Sequence, residues 1–266
     1  MPLVAAAVLP HPPLLVPELA GAAAAELDPL RAACAEALAE VLAAASTTVL
    51  VGDGPLWGRP ALGAVGSFRS YGVDVEARMP GGARLGSRSG DQAGAPERAA
   101  APVTVGERDG LPEPAVLDRL PLSLAVGAWL LAELGERPGR LVAFAVPGSF
   151  GPRAAAAVGR VLARRSEPVG LVVLADLSAR RTARAPGAFD PRAAGFDETV
   201  VAAVRSGRLG DLLDLDAALA AELRFGGRVP LQVLAGACDG VALAGRVLYD
   251  QAPYGVGYLV GVLTRP

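Results

Sequence analysis

The chain has 266 residues, 52% of them hydrophobic, and a formal net charge of −2. That balance gives no pull toward nucleic acid or an anionic membrane surface, and no run of 18 uninterrupted apolar residues marks a membrane span. The two cysteines, Cys34 and Cys238, are too few and too distant for a disulfide framework and read as buried thiols.

"PLVAAAV" opens the chain as a short buried strand and runs into "LPHPPLLVPE", which holds the single histidine, His11. No positive residue precedes the apolar run and prolines interrupt it, which argues against a signal peptide and for a cytoplasmic protein. From Ala22 to Ala45, apolar residues recur at Leu27, Leu30, Cys34, Leu38, Val41 and Leu42, the spacing of one helical face. "TTVLVG" follows as a β-branched strand ending at the turn signal "GDGP". Strand, helix and strand make a βαβ unit with parallel pairing.

Residues 80–114 are rich in glycine, proline and charge, and read as a mobile insertion with a short strand at "APVTV". The alternation then resumes with helix "LSLAVGAWLLAEL", strand "RLVAFAVP", helix "PRAAAAVGRVLARR" and strand "PVGLVVLADLS". Polar helical stretches follow at "FDETVVAAVRSG", "LGDLLDL" and "DAALAAELRF", then a short buried helix at "VPLQVLAGAC". "GVALAGRVLYDQAPYGVGYLVGVL" closes the chain as two strands joined near "QAPYG". The expected architecture is one α/β domain over 1–266, a central largely parallel or mixed sheet flanked by helices.

Ligands of open α/β sheets bind beyond the carboxyl ends of the strands. Three expected strands end at an ionisable group: His11, Asp53 and Asp176. If those strands are neighbours, one imidazole and two carboxylates meet on one rim, a set suited to a hard divalent cation or to acid–base work. Each aspartate is equally at home as a turn or capping residue, and His11 as a hydrogen-bonded wall residue. "SARRTARAPGAFDPR" adds Arg180, Arg181, Arg184 and Arg192, guanidinium groups able to clamp a carboxylate or phosphate, or to be neutralised by Asp190 and Asp197. No phosphate-binding loop with its lysine and no G-x-S-x-G elbow is present.

"LPHPPLLVPELAG", "GGRVPLQVLAGA" and "YDQAPYGVGYLVGVL" resemble the class III extradiol ring-cleavage dioxygenases of the catalytic B-subunit type, whose fold Memo-like proteins share. The resemblance implies a non-haem iron(II) held by two histidines and a third ligand, usually glutamate, with a further histidine as acid–base catalyst. Carried over by position, His11 is the first ligand. The second ligand position is Gly54, with Asp53 beside it. The Asp-x-Ser-His motif keeps Asp176 and Ser178 but has Ala179 where the histidine belongs. The cysteine that precedes Gly-Arg-x-Pro in the Memo-like branch is Gly226, with Glu222 four residues upstream.

The resemblance therefore implies the fold without standard ring-cleavage activity, the old cleft binding a small aromatic or anionic ligand through Asp176, Ser178, Arg180 and Arg181. The alternative is a rebuilt centre in which His11, Asp53 and Glu222 hold Fe(II) or another divalent cation and act on a catechol-like aromatic. A third reading uses Asp53 and Asp176 as carboxylate catalysts. Neither nucleic acid nor membrane is an expected partner, and the apolar surface allows a homodimer.

Overall fold

The structure, a computed structural model, describes residues 3–79, 111–135 and 139–266. Among them nine strands form one mixed sheet in the order β4-β3-β6-β2-β7-β1-β9-β8, with β5 paired to β3. Its centre is parallel: β6 (Arg140–Pro147), β2 (Thr47–Gly54), β7 (Val169–Leu174) and β1 (Leu3–Leu9). β9 (Tyr258–Thr264) runs antiparallel to β1 and is bordered by β8 (Ala244–Gln251). At the other edge lie β3 (Gly58–Ser67), β4 (Glu76–Arg78) and β5 (Ala115–Arg119).

Both faces of the central strands are covered, as their unbroken apolar runs require. In β1, Val8 faces one core while Ala7 and Leu9 face the other; in β7, Val173 and Leu174 divide the same way. One face is closed by α2 (Asp28–Ala44) and α3 (Leu122–Leu134). The other is closed by α4 (Pro152–Ala163), α5 (Arg192–Ser206), α6 (Ala217–Glu222) and α7 (Arg228–Ala237). A one-turn α1 (Pro17–Ala20) follows the histidine segment. No helix among the described residues is long and apolar enough to cross a membrane.

The expected helix over Ala22–Ala45 is shorter than its periodicity indicated. Its first part, Gly21–Leu27, winds as a 3₁₀ helix, and the α-helix starts at Asp28. The cause is Pro29: its ring lacks an N–H and collides with the carbonyl four residues back, so it is tolerated only in the first turn. At the other edge, β3 and β4 arise from a segment in which glycines and Pro60 hide any alternation. Of the expected insertion over 80–114, only 111–114 fall among the described residues, and "APVTV" lies outside them.

α4 and α7 cross with their backbones almost touching. A Cβ built on Gly159 would stand 2.0 Å from the Val233 carbonyl oxygen, and one on Gly236 would stand 2.2 Å from that of Ala156. Gly236→Ala is therefore expected to destabilise the protein by about 3 kcal/mol, the upper range for overpacking, because backbone cannot swing aside. Gly195→Ala, on an α5 position with no heavy atom within 4 Å, is the control and should be neutral or stabilising by roughly 0.5–1 kcal/mol. Urea unfolding of the two variants checks this; equal midpoints would mean the helices separate freely.

Candidate functional site

β2, β7 and β1 are consecutive in the sheet and parallel, so their carboxyl ends share one edge. His11 follows β1 by two residues, Asp176 follows β7 by two, and Asp53 lies in the last turn of pleat of β2. The three groups expected at strand ends do meet. His11 Nε2 is 3.1 Å from Asp53 Oδ1, and His11 Nδ1 is 3.8 Å from Asp176 Oδ1. The imidazole thus sits between two carboxylates, one facing each nitrogen.

Main-chain bonds fix this arrangement. The His11 backbone N–H donates to Asp176 Oδ1 at 2.8 Å, and the Asp176 carbonyl accepts from the Gly227 N–H at 2.8 Å, where α7 begins. Ser123, buried in the first turn of α3, donates its hydroxyl to the Asp53 carbonyl at 2.6 Å. Prolines at 10, 12 and 13 hold the backbone around His11 extended into a short 3₁₀ turn, where the missing proline N–H groups have no ladder to serve.

The electrostatics follow from this geometry. Burial opposes protonation of His11, but Asp176 and Asp53 together outweigh it and push the imidazole up to about 9. Burial also pushes the Asp53 carboxyl up; the His11 bond and charge and the Ser123 hydroxyl overcome it and hold Asp53 below its usual value. For Asp176 burial wins against His11, and the carboxyl is raised. Carboxylates in one site with opposed shifts are the mark of groups able to divide acid and base roles.

The remaining sequence candidates have other partners. Glu222 pairs with Arg192 at 2.9 Å at the exposed end of α6, and Arg192 also holds Asp190 at 2.7 Å. Arg181 is bound to Asp197 at 2.8 Å. Ser178 is fully buried and donates its hydroxyl to the Leu223 carbonyl, while Asp197 accepts the Ser178 N–H. Arg180 has a shielded Nε with no hydrogen-bond partner among the described residues, and its backbone N–H donates to Ser178 Oγ. These residues stitch the loop after β7 to α5 and α6.

Sequence reasoning missed Ser123 and understated Asp197. Nothing marks Ser123 as more than a helix-start serine. Asp197 does carry a signal: it shares the 197, 200, 201, 204 stripe with Val200, Val201 and Val204, which places a carboxylate on the buried face of α5.

Position 54 is resolved by sterics. A Cβ on Gly54 would lie 2.8 Å from the Ala145 Cβ and 3.4 Å from Pro121 Cγ, so a side chain there would run into α3's entrance and β6. Asp53, one residue earlier and on the opposite side of the pleat, is the group of β2 that reaches His11. The iron triad that the sequence resemblance implies does not find its donor set here. Nε2 of His11 and Oδ1 of Asp53 converge, but Asp176 stands at the far side of the ring and Glu222 is held by Arg192. Among the described residues no three His, Cys, Asp or Glu side chains are grouped to hold a metal ion. Two converging donors fall short of a facial triad.

No family model and no curated protein matches the sequence. Among solved structures, the chain is similar to an uncharacterised protein from Escherichia coli K12, with a TM-score of 0.56 and 16% identity, covering 98% of this chain and 99% of that one. A likeness at that identity shows a shared fold along nearly the whole chain, and the chemistry rests on the site.

Proposed function

We propose that this chain has an extradiol-dioxygenase-like fold without ring-cleavage activity, its rim given over to an Asp–His–Asp acid–base cluster in a cleft that binds a small ligand. The observation that carries this reading is the opposed placement of the two carboxylates. Asp53 approaches one imidazole nitrogen and Asp176 faces the other, so the ring is held between two acids. A triad would instead need its donors on one side of a common point. The sequence resemblance supports the fold assignment, and the departures at Gly54, Ala179 and Gly226 support the loss of the iron chemistry. A cytoplasmic location belongs to the same proposal.

Metal content after anaerobic reconstitution with iron(II), followed by desalting, tests the reading on wild type and His11→Ala. Both proteins are expected to retain well under a tenth of an equivalent, and neither should consume oxygen with catechol. About one iron per chain in wild type, lost in His11→Ala, would establish instead the rebuilt His11/Asp53 centre with a third ligand recruited on binding.

A further inference from the structure

The rim's charges do not balance. Two carboxylates flank one imidazole, so with both ionised one net negative charge remains even when His11 is protonated. No arginine among the described residues is among the groups acting on Asp53 or Asp176. Arg181 is engaged by Asp197, and Arg192 by Asp190 and Glu222. Two of the guanidinium groups that suggested an anion site, those of Arg181 and Arg192, are therefore taken up by carboxylates outside the rim, and Arg180 acts on Asp190.

Two atoms inside the cluster also lack a well-formed hydrogen bond. His11 Nδ1 and Asp53 Oδ1 are both shielded from solvent without such a bond among the described residues, and Asp53 Oδ1 stands 3.1 Å from His11 Nε2 as an ion-pair contact. The His11 side chain is only 8% exposed, whereas that of Asp53 is 45% exposed and forms the open side of the cluster. Buried polar atoms without partners are rare in folded proteins and point to a group supplied from outside. Gly226 lies beside the cluster: a Cβ there would touch the Asp176 Cβ at 3.9 Å, an ordinary contact that leaves the position uncrowded. Leu56, three residues past Asp53 on the same edge, is 43% exposed and offers an apolar contact.

Building on the reading of a metal-free cleft, we propose that the rim binds a protonated amine carried on a small apolar body, the ammonium donating to Asp53. An ammonium supplies the missing charge and a donor for the Asp53 carboxylate. A carboxylate or phosphate would meet the two acids first, at a cost that like charges in a partly dry site make large.

Three ligands of one shape separate the alternatives: benzylamine, benzyl alcohol and benzoate, tested by thermal shift and calorimetry on metal-free protein at neutral pH. Benzylamine is expected to raise Tm by about 3 °C near saturation, benzyl alcohol less, and benzoate not at all. Asp53→Asn, at a half-exposed position, should fold normally and lose the preference for the amine over the alcohol. Gly226→Leu places a bulky side chain beside Asp176 without altering any charge and should abolish binding of all three. Benzoate binding best, equal binding of amine and alcohol by wild type, or no stabilisation by any of the three would overturn the proposal. The iron measurement fails separately: one equivalent of retained iron would overturn the metal-free reading, whereas an iron-free protein that prefers benzoate overturns only the amine assignment.

Discussion

Asp197→Ala is expected to cost about 3–5 kcal/mol of stability, the usual penalty for leaving half of a buried ion pair behind. The Asp197 side chain is 0% exposed. It accepts the Ser178 N–H at 2.9 Å with one oxygen and Arg181 Nη1 at 2.8 Å with the other. A Cβ on Gly257 would stand 2.5 Å from that second oxygen, so the start of β9 is packed against it as well. Truncation would leave the Arg181 guanidinium, 23% exposed, without its counter-charge and the buried Ser178 N–H without an acceptor. Burial raises the Asp197 carboxyl despite Arg181, so ionising it works against stability as pH rises through the folded value. Asp197→Asn should accordingly lose less than the alanine variant, since it retains an acceptor for Ser178. Urea unfolding of both variants decides the matter. A loss under 1 kcal/mol for alanine would mean that water enters and replaces the carboxylate. Because Ser178 lies two residues beyond Asp176, the weakened variant should also show a displaced His11 resonance.

That resonance is the basis of the second large effect. With one histidine in the chain, the imidazole carbon-bound proton gives a single assignable signal, and its titration midpoint is expected near pH 9 instead of the ordinary 6.5. The sign follows from linkage. A raised folded value means the protonated ring favours the folded state; the contribution is complete below about 6.5 and is lost as pH rises through about 9. Its size is on the order of 3 kcal/mol. Asp53, held low, works in the opposite window: its contribution is present above its ordinary value and disappears as pH falls through the depressed one. Asp53→Asn should bring the His11 midpoint back toward or below 6.5, because burial then acts with one supporting acid fewer. A wild-type midpoint at 6.5 would show that water screens the ring from both carboxylates.

Much of this arrangement was readable before any coordinates. The apolar runs of β1, β2, β6 and β7, each buried on two faces, announce themselves by composition, and α3 is bounded by Pro121 and by Gly135, whose positive φ closes the helix. Because strand ends share an edge in a parallel sheet, His11, Asp53 and Asp176 could be placed on one rim from sequence on the condition that their strands are neighbours, and the order β2-β7-β1 supplies that condition. What resisted was everything set by side-chain direction. Gly54 and Asp53 are adjacent in sequence, yet pleating sends one toward Ala145 and the other toward His11. Glu222 sits near the right motif, but a helix turn and Arg192 take it elsewhere. β3 lacked any alternation because glycines and Pro60 interrupt it, and Gly66 leaves room for Ala125. The arginine-rich loop gave its charges without their pairings, and those pairings decide which sign the cleft presents.

The position of β1 has a consequence for the order of assembly. Strand β1 lies between β7 and β9, so during synthesis it must wait unpaired until the roughly 160 residues up to β7 have followed it. Contacts of such long separation are slow to close, because loop entropy opposes them before any pairing repays it. A nascent chain halted anywhere before β7 would hold "LVAAAVL" as a bare hydrophobic strand, a natural target for chaperones and for aggregation. His11 and Asp53, both made early, would face each other only after β7 had inserted itself between their strands.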